Sequence, residues 1–388
     1  MQILIIPSWY PSPKNPLSGS FFREQAMALA DAGHDVTVLN ATLQDRYNYF
    51  SSDNFKLIKR MDGKLRVYLY TMPSFGAVRN SSLFYAIFKR NMFKVFKKMY
   101  NDGLNFDIIH AHSFLPAGIA ACDLGERNSI PVVITEHSSG VLQKDLNKKQ
   151  IAFLKSTVER ADTTICVSPA LKTSILALTK TEKEISVIPN MVSPLFVCDE
   201  VERRNKEFVF VSIASLIERK RIRLTIQAFC DAFQNEQNVK LYLIGDGPLI
   251  TSLKHLVTDL NMEKQIKLLG RLSRLRTAEE VKNSDAFVLA SVNEPFGVVY
   301  IEALACGKPV IGSRNGGAEF IINSSNGLLV DVDNREQLAK AMKYLYDNIN
   351  GYDRKKISAD CIATYSGEAI VRELTDIYMK LLERNEQK

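Results

Sequence analysis

Short apolar, β-branched runs alternate with longer amphipathic stretches along almost the whole chain of 388 residues. A continuous apolar run bounded by helical patterns is typical of a strand that is buried on both faces of a parallel sheet. The chain is therefore predicted to have an α/β fold. The predicted strands are residues 3–6, 35–39, 108–110, 131–135, 163–167, 185–188, 208–213, 240–244, 266–269, 286–289 and 309–311.

The alternation restarts after a polar segment, residues 197–207, which reads VCDEVERRNKE and indicates a linker. The length suits two domains of about 150 residues or a little more. We expect two Rossmann-like, doubly wound parallel-sheet domains, residues 1–195 and 196–365, that face a central cleft. Ligands of such sheets bind beyond the carboxyl ends of the strands.

Composition excludes several other classes of protein. Hydrophobic residues make up 46% and charged residues 24% of the chain, as in globular proteins and unlike disordered or collagen-like ones. No apolar run reaches the ~18 residues of a spanning helix, and the N-terminus reads as a first strand and not as a signal peptide. The six cysteines form no C-x-x-C pair, so we expect buried free thiols of a cytoplasmic protein and no metal site.

Positive charge is concentrated in one window. The net charge is +7, and residues 56–98 contain 11 Lys and Arg against one acid, Asp62. Part of this window, residues 82–100, has apolar side chains at helical spacing. Such a helix either lies on a membrane surface or is an ordinary surface helix whose apolar stripe packs into the core. For the excess charge we favour a membrane or an acidic acceptor, and not nucleic acid, since no recognition motif accompanies it. The predicted patch consists of Lys89, Arg90, Lys94, Lys97 and Lys98.

The segment EPFGVVYIEALACGKPVI, which begins at Glu294, follows a predicted strand and opens a helix. Gly297 allows the backbone to approach a ligand, and the N–H groups of Gly297 and Val298 at the helix start favour an anion such as a diphosphate. The carboxylates of Glu294 and Glu302 can each accept two hydrogen bonds from a sugar diol.

Together with nine other segments, this motif resembles the retaining glycosyltransferases of family 4, which have the GT-B fold, over nearly the whole chain. The other segments are residues 18–29, 33–36, 108–112, 188–190, 215–220, 245–248, 316–319, 326–330 and 365–370. The resemblance implies that residues 1–195 bind the acceptor and residues 196–365 bind the nucleotide-sugar donor. It also implies that residues 366–388 form a helix that crosses back to the first domain.

The resemblance also implies roles for single residues. Glu302 would hold the ribose hydroxyls, and Lys220 would neutralise the diphosphate leaving group. Glu294 and His112 are the predicted catalytic residues: Glu294 at the donor sugar, and His112 near the reacting sugar, where it would orient the sugar or share a proton. The remaining predicted donor contacts are Gly19, Gly245, Gly247, Phe296, Gly297 and Val298.

Several of these assignments have ordinary structural alternatives. The loop of Gly245 and Gly247 has a sequence common in turns, and the basic run around Lys220 could be a solvated face. His110 and His112 are expected on opposite faces of their strand, with one packed inward, and the choice of His112 rests on the family pattern. His137 either lines the acceptor side or is structural.

The sequence departs from the family pattern at Ala214–Ser215–Leu216, where the family commonly has G-R-L. Phosphate neutralisation therefore depends more on Lys220, and Arg219 or Arg221 could compensate. No D-x-D element is present in the expected setting, so neither a metal ion nor another cofactor is expected.

The sequence thus predicts a cytoplasmic glycosyltransferase, peripheral on the inner face of the membrane. It would move a hexose from a nucleotide-diphosphate sugar, such as a UDP- or GDP-sugar, to a hydroxyl of a lipid-linked glycan. One alternative is an epimerase of nucleotide sugars with the same fold. The other is a non-enzymatic protein that binds membranes or polyanions through the basic window.

Overall fold

Asn190 and Gly367 are the two points at which the chain passes between two structural units. The first unit is Met1–Pro189 together with Gly367–Lys388, and the second is Asn190–Ser366. The computed structural model describes residues 1–12, 18–43, 55–73, 81–198 and 207–386. Most of the predicted linker, residues 199–206, lies outside the described residues.

The first unit is built on a parallel sheet with one antiparallel edge. Its eight strands are arranged in the order β3-β4-β2-β1-β5-β6-β7-β8, and only β3 runs antiparallel to its neighbour. Here β1 is Gln2–Pro7, β2 Asp35–Leu43, β3 Leu57–Asp62, β4 Leu65–Met72, β5 Ile108–His112, β6 Val132–Glu136, β7 Thr163–Cys166 and β8 Ile185–Val187. The strand order reverses between β1 and β5, so this is the point where a ligand site is expected.

In the described part of the first unit, these strands lie in the core and are connected by six α-helices. They are α1 (Ser20–Asp31), α2 (Ser82–Asn101), α3 (Ile119–Asn128), α4 (Ser139–Leu142), α5 (Lys148–Arg160) and α6 (Pro169–Thr179). The apolar stripe of α2 is buried, at Phe84, Phe88, Met92, Val95, Phe96 and Met99. The ordinary reading of this helix is therefore confirmed for the stripe, which packs into the core and leaves the charged side exposed.

The second unit contains six parallel strands in the order β11-β10-β9-β12-β13-β14. They are β9 Phe208–Ile213, β10 Val239–Ile244, β11 Ile266–Gly270, β12 Ala286–Leu289, β13 Val310–Ser313 and β14 Gly327–Val330. The helices are α7 (Ile222–Phe233), α8 (Ile250–Asp259), α9 (Arg274–Lys282), α10 (Val298–Ala305), α11 (Ala318–Ile321), α12 (Arg335–Asp347) and α13 (Arg354–Tyr365). The order reverses between β9 and β12, which confirms the predicted doubly wound sheet.

All eleven predicted strands are present, and their ends differ by a few residues from the prediction. Three strands were not predicted. The edge strand β3 exposes four of its six residues, so it has no buried alternation to detect. In its partner β4 the alternation of buried residues is interrupted at Val67 and Tyr68, and β14 has only four residues.

The last helix, α14 (Gly367–Glu386), belongs to the first unit. Tyr378 is fully buried and its hydroxyl lies 2.6 Å from Nδ1 of His110 on β5, while Thr375 lies 3.2 Å from His34. In the second unit, close to the two points at which the chain passes between the units, Val192 N donates to Tyr365 O (2.8 Å). The two connecting segments are therefore hydrogen-bonded neighbours.

The six cysteines are free thiols, as predicted, and five of them are buried while Cys198 is half-buried. Among the described helices, none has a long enough apolar stretch to cross a membrane. Within the same residues, no three His, Cys, Asp or Glu side chains are grouped so as to hold a metal ion.

Candidate active site

At the switch point of the second sheet, the loops after β9 and β12 lie side by side. Val292 N donates to the carbonyl of Arg219 (2.9 Å). On the same loops, Lys220 Nζ donates to Glu294 Oε1 in an ion pair whose side chains are only 15% and 10% exposed. The structure thus brings the predicted donor-binding residue Lys220 into contact with the predicted catalytic residue Glu294, and Lys220 is not part of a solvated face.

The helix α10 starts beside this ion pair at Gly297. Gly297 has a φ of 95°, and a Cβ there would lie 2.5 Å from the ring of Tyr300. That ring is buried, and its hydroxyl donates to Leu289 O (3.0 Å). Glycine is therefore required both by the backbone conformation and by close packing. Among the described residues no side chain caps the helix, so its first-turn N–H groups have no side-chain acceptor at the cap position.

The side chain of Phe296 is buried (1% exposed) against Phe320 and Tyr365. Only the backbone of this residue is therefore suited to a ligand contact, and its contact with a donor stays a prediction. Val298 is half-exposed at the first helical position. The start of α10 thus presents mainly backbone groups to its surroundings.

Glu302 is held by an arginine that is not among the predicted site residues. Its side chain is 1% exposed, and Oε1 accepts from Nη1 of Arg274 at 2.6 Å. The guanidinium of Arg274 also lies 5.1 Å from the ring centre of Phe196. Three arginines between residues 271 and 276 were the available signal, but a partner 28 residues away cannot be read from local spacing.

The loop of Gly245 and Gly247 packs against the loop after β9. A Cβ on Gly245 would lie 1.8 Å from Ala214 O, and one on Gly247 would lie 2.5 Å from Leu216 O. Leu216 N also donates to Asp246 O (3.0 Å). Close contact between two backbones accounts for both glycines, so their contact with a donor stays a prediction.

The missing arginine at Ser215 is not replaced by Arg221. The guanidinium of Arg221 binds both carboxylate oxygens of Asp333, at 2.5 and 3.0 Å. This pairing holds the pKa of Asp333 below its ordinary value. Arg219, whose backbone lies on the loop of Lys220, is therefore the remaining candidate for replacing the missing arginine.

In the first unit, Gly19 caps the start of α1 with a φ of 72°. A Cβ there would lie 2.7 Å from the carbonyl oxygen of Trp9, in the loop after β1. The indole of Trp9 packs against Phe22 at 5.1 Å between ring centres. Gly19 therefore lies at the switch point of the first sheet, and its contact with a diphosphate stays a prediction.

The expectation that His110 and His112 face opposite sides is wrong. Residues two apart on a strand share a face, and these rings lie 4.5 Å apart, both fully buried. The ring nitrogens of His110 lie 2.6 Å from Tyr378 Oη and 2.8 Å from Thr135 Oγ1. Burial lowers the pKa of His110 to about 3, so it is a neutral, hydrogen-bonded core residue.

His112 is the more available of the two for chemistry. Its Nδ1 lies 3.1 Å from Nε2 of His137, while its Nε2 has no hydrogen-bond partner among the described residues. The ring of Phe22 packs against it at 4.8 Å. Burial, together with His110 and His137, holds the pKa of His112 well below its usual value. It is therefore neutral at pH 7 and suited to orienting a hydroxyl.

A buried acid, Glu136, holds the backbone of the segments that follow β5 and β6. The side chain at the end of β6 is 1% exposed and accepts from Phe114 N (2.8 Å), His137 N (2.8 Å) and Ser138 N (2.6 Å). Desolvation raises the pKa of this carboxyl. Glu136 is not among the predicted site residues, although an acid that directly follows an apolar strand was a signal.

The predicted basic patch is partly neutralised. Lys89 pairs with Asp123 at 2.9 Å, and the same carboxylate binds Arg160 at 2.6 Å. Arg90, Lys94, Lys97 and Lys98 are exposed and form no ion pair with a described residue. A groove of about 260 Å³ between α2 and α3 is lined by Lys89, Arg90 and Arg127, among others.

Two family models match the chain, one in each unit. The model described as Glycosyltransferase Family 4 matches residues 18–194, and the model described as Glycosyl transferases group 1 matches residues 199–359. An uncharacterized glycosyltransferase of Methanocaldococcus jannaschii is 31% identical over 259 residues, which are 66% of this chain and 70% of that protein.

Two further relatives have more specific names. N-acetyl-alpha-D-glucosaminyl L-malate synthase of Bacillus anthracis is 28% identical over 293 residues, 72% of this chain and 76% of that protein. A putative teichuronic acid biosynthesis glycosyltransferase of Bacillus subtilis is 26% identical over 368 residues, 90% of each.

Solved structures show the same fold. A sucrose-phosphate synthase from Thermosynechococcus elongatus superposes with a TM-score of 0.77 at 21% identity, over 99% of this chain and 100% of that one. The Anabaena protein HepE, in complex with UDP and glucose, superposes with a TM-score of 0.73 at 17% identity, over 98% and 100%. The chain therefore belongs to the family 4 glycosyltransferases and has the GT-B fold.

Proposed function

We propose that the protein transfers a hexose from a nucleotide-diphosphate sugar to a hydroxyl of a glycan acceptor, in polysaccharide or glycoconjugate biosynthesis. The observation that carries the proposal is the meeting of Lys220, Glu294 and the start of α10 at the switch point of the second sheet. The Anabaena structure with UDP and glucose supports a nucleotide-sugar donor. The relative named for teichuronic acid supports a glycan acceptor.

The groups at this switch point suit a departing diphosphate. The backbone N–H groups of Gly297 and Val298 and the ammonium of Lys220 would stabilise the negative charge that develops on the leaving group. Such fixed donors act without a metal ion, and we propose a metal-independent reaction. When the diphosphate binds Lys220, the carboxylate of Glu294 becomes available to accept hydrogen bonds from the sugar hydroxyls.

The other end of the donor would be held through its ribose by Glu302, whose buried carboxylate accepts hydrogen bonds and donates none. We further propose that the anomeric configuration is retained. The acceptor hydroxyl would attack the anomeric carbon from the face that the diphosphate leaves. The bond to the diphosphate would break and the hydroxyl proton would pass to the departing phosphate oxygen, so no enzymic nucleophile is required. His112, which is neutral at pH 7, would orient the sugar by a hydrogen bond from Nε2.

The exposed side of α2 would hold the protein at an anionic membrane, where a lipid-linked acceptor is found. Arg90, Lys94, Lys97 and Lys98 are exposed there, and a basic residue near such a surface contributes about 1 kcal/mol. The apolar stripe of α2 is buried in the core. Binding would therefore be electrostatic and would weaken with salt. The proposed location is the inner face of the cytoplasmic membrane.

A thermal-shift panel of nucleotide diphosphates and their sugars tests the donor class. A ligand at 100 times its Kd stabilises the folded state by about 2.7 kcal/mol, which is readily measured. Transfer to a glycan acceptor is then measured for Lys220→Met and Glu302→Gln at saturating donor, with the product anomer read by NMR. Lys340→Met is the matched control, because Lys340 is 74% exposed in a surface pair with Glu336.

We expect both site variants to lose transfer and the control to keep it. Full transfer by Lys220→Met or Glu302→Gln would contradict the site assignment. Formation of an epimer from the donor alone, without acceptor, would favour the epimerase. Vesicle binding that survives in Glu302→Gln, with no nucleotide raising the Tm, would favour a non-enzymatic role.

A further inference from the structure

Arg274 connects two buried side chains of the second unit. It occupies the first position of α9, where Ser273 caps the helix by accepting from Arg276 N at 3.3 Å. Its Nη1 donates to Oε1 of Glu302 at 2.6 Å, and its guanidinium lies 5.1 Å from the ring centre of Phe196. Glu302 is 1% exposed and Phe196 is fully buried, whereas the side chain of Arg274 is 25% exposed.

This geometry controls both the charge and the direction of Glu302. A carboxylate taken out of water needs a cationic or hydrogen-bonding partner, and Arg274 supplies one. A guanidinium that also lies over an aromatic ring has few orientations left. The contact at Oε1 therefore restricts the plane in which the Glu302 carboxylate lies.

We propose that Arg274 is a positioning residue that orients Glu302 toward the ribose diol and thereby selects ribonucleotides over 2′-deoxyribonucleotides. The inference rests on the proposed function, in which Glu302 holds the ribose. A carboxylate accepts from two adjacent hydroxyls only when its plane faces both of them. Loss of the 2′-hydroxyl removes one of these charge-assisted hydrogen bonds.

Selection between the two sugars separates this role from a merely structural one. A residue that only stabilises α9 or Phe196 would change the Tm and leave the ratio of the two affinities unaltered. A residue that sets the direction of Glu302 would change the affinity for ribonucleotides and spare the deoxy compounds. In the transfer reaction it would raise the KM for the donor by a larger factor than it lowers kcat.

The test is isothermal calorimetry of the full chain with UDP, GDP and ADP and with their 2′-deoxy counterparts. The variants are Arg274→Gln, Arg274→Lys and Glu302→Gln. Arg276→Gln is the matched control, since Arg276 lies on the same helix and pairs with Glu279 on the surface. Because a hydrogen bond to a charged group is worth about 1.5–3 kcal/mol, the wild type should bind the ribonucleotide about 10- to 100-fold more tightly.

Arg274→Gln is expected to bind the ribonucleotide about tenfold more weakly and the deoxy compound as before, so that most of the discrimination is lost. Arg274→Lys keeps the positive charge but lacks the planar guanidinium, so this variant should retain part of the discrimination. If Arg274→Gln does not fold, the Arg274→Lys variant decides the question. A ratio of ribonucleotide to deoxyribonucleotide affinity in Arg274→Lys that equals the wild-type ratio contradicts the inference. The control should keep the wild-type ratio.

The outcomes separate this inference from the proposed function. If Glu302→Gln loses the discrimination while Arg274→Gln and Arg274→Lys keep it, the inference about Arg274 is wrong and the proposed ribose site stands. If Glu302→Gln also keeps it, the ribose site itself is wrong. Absence of binding by all six nucleotides contradicts the proposed donor.

Discussion

Replacing Lys220 with Met should destabilise the second unit as well as stop transfer. The ammonium of Lys220 contacts Glu294, which is 8% exposed, so the variant leaves a carboxylate nearly buried without its partner. Breaking a buried ion pair on one side costs about 3–5 kcal/mol, and the residual exposure of these side chains places the expected loss at about 2–4 kcal/mol. For a unit of this size the Tm should fall by roughly 5–15 °C.

The assay is calorimetric unfolding of the wild type, Lys220→Met, Glu294→Gln and the double variant. The double variant has neither charge, so we expect it to recover most of the lost Tm. Transfer activity should not recover, because both proposed donor contacts are gone. This cycle separates the structural effect of the ion pair from its proposed role in the reaction.

Two results would refute the reasoning about this pair. One is a Tm for Lys220→Met within 2 °C of the wild type, which would mean that water solvates Glu294 in place of the lysine. The other is a double variant that is less stable than either single variant, which would mean that the two charges do not interact.

Three further predictions follow from the geometry. Gly297→Ala places a Cβ about 2.5 Å from the Tyr300 ring at a φ of 95°, so the Tm and the affinity for nucleotide diphosphates should both fall; an unchanged Tm would show that the loop adapts. The pKa of His110 is about 3 in the folded protein against 6.5 in the unfolded chain, so the contribution of this residue to stability is complete above pH 6.5 and is lost below it by about 1.4 kcal/mol per pH unit. In unfolding curves from pH 7 to pH 5, the His110→Gln variant should show a flatter decline in stability, and an unaltered slope would contradict this prediction. The double variant Lys94→Gln, Lys97→Gln should bind vesicles containing phosphatidylglycerol more weakly at low salt, and equal binding would place the membrane contact elsewhere.

The sheets were the most predictable part of the structure. Strands such as β9 and β12 are buried on both faces, so their apolar character survives in the sequence as a continuous run. The edge strand β3 was missed for the opposite reason, since its solvated side chains follow no hydrophobic period. The residues at the second switch point were predictable because Gly297 and its neighbours follow a strand and open a helix.

Contacts between distant segments were not predictable. Glu302 could be identified from its motif, but its partner Arg274 depends on how α9 packs beside α10. The role of Glu136 depends in the same way on Phe114, 22 residues earlier in the chain. The pairing of the two histidine rings was predictable from strand geometry, and the expectation erred because it did not apply the period of two.

The position of α14 in the first unit has a consequence for how the protein is made. The second unit is inserted between Pro189 and Gly367, and at about 5–20 residues per second its translation takes on the order of 10–40 s. During that interval Tyr378 has not yet been synthesised, and His110 lacks one of its two hydrogen-bond partners. Until then, the apolar surface of the first unit that will pack against Leu374 and Tyr378 stays exposed to solvent. The unit that leaves the ribosome first is therefore the last to be completed.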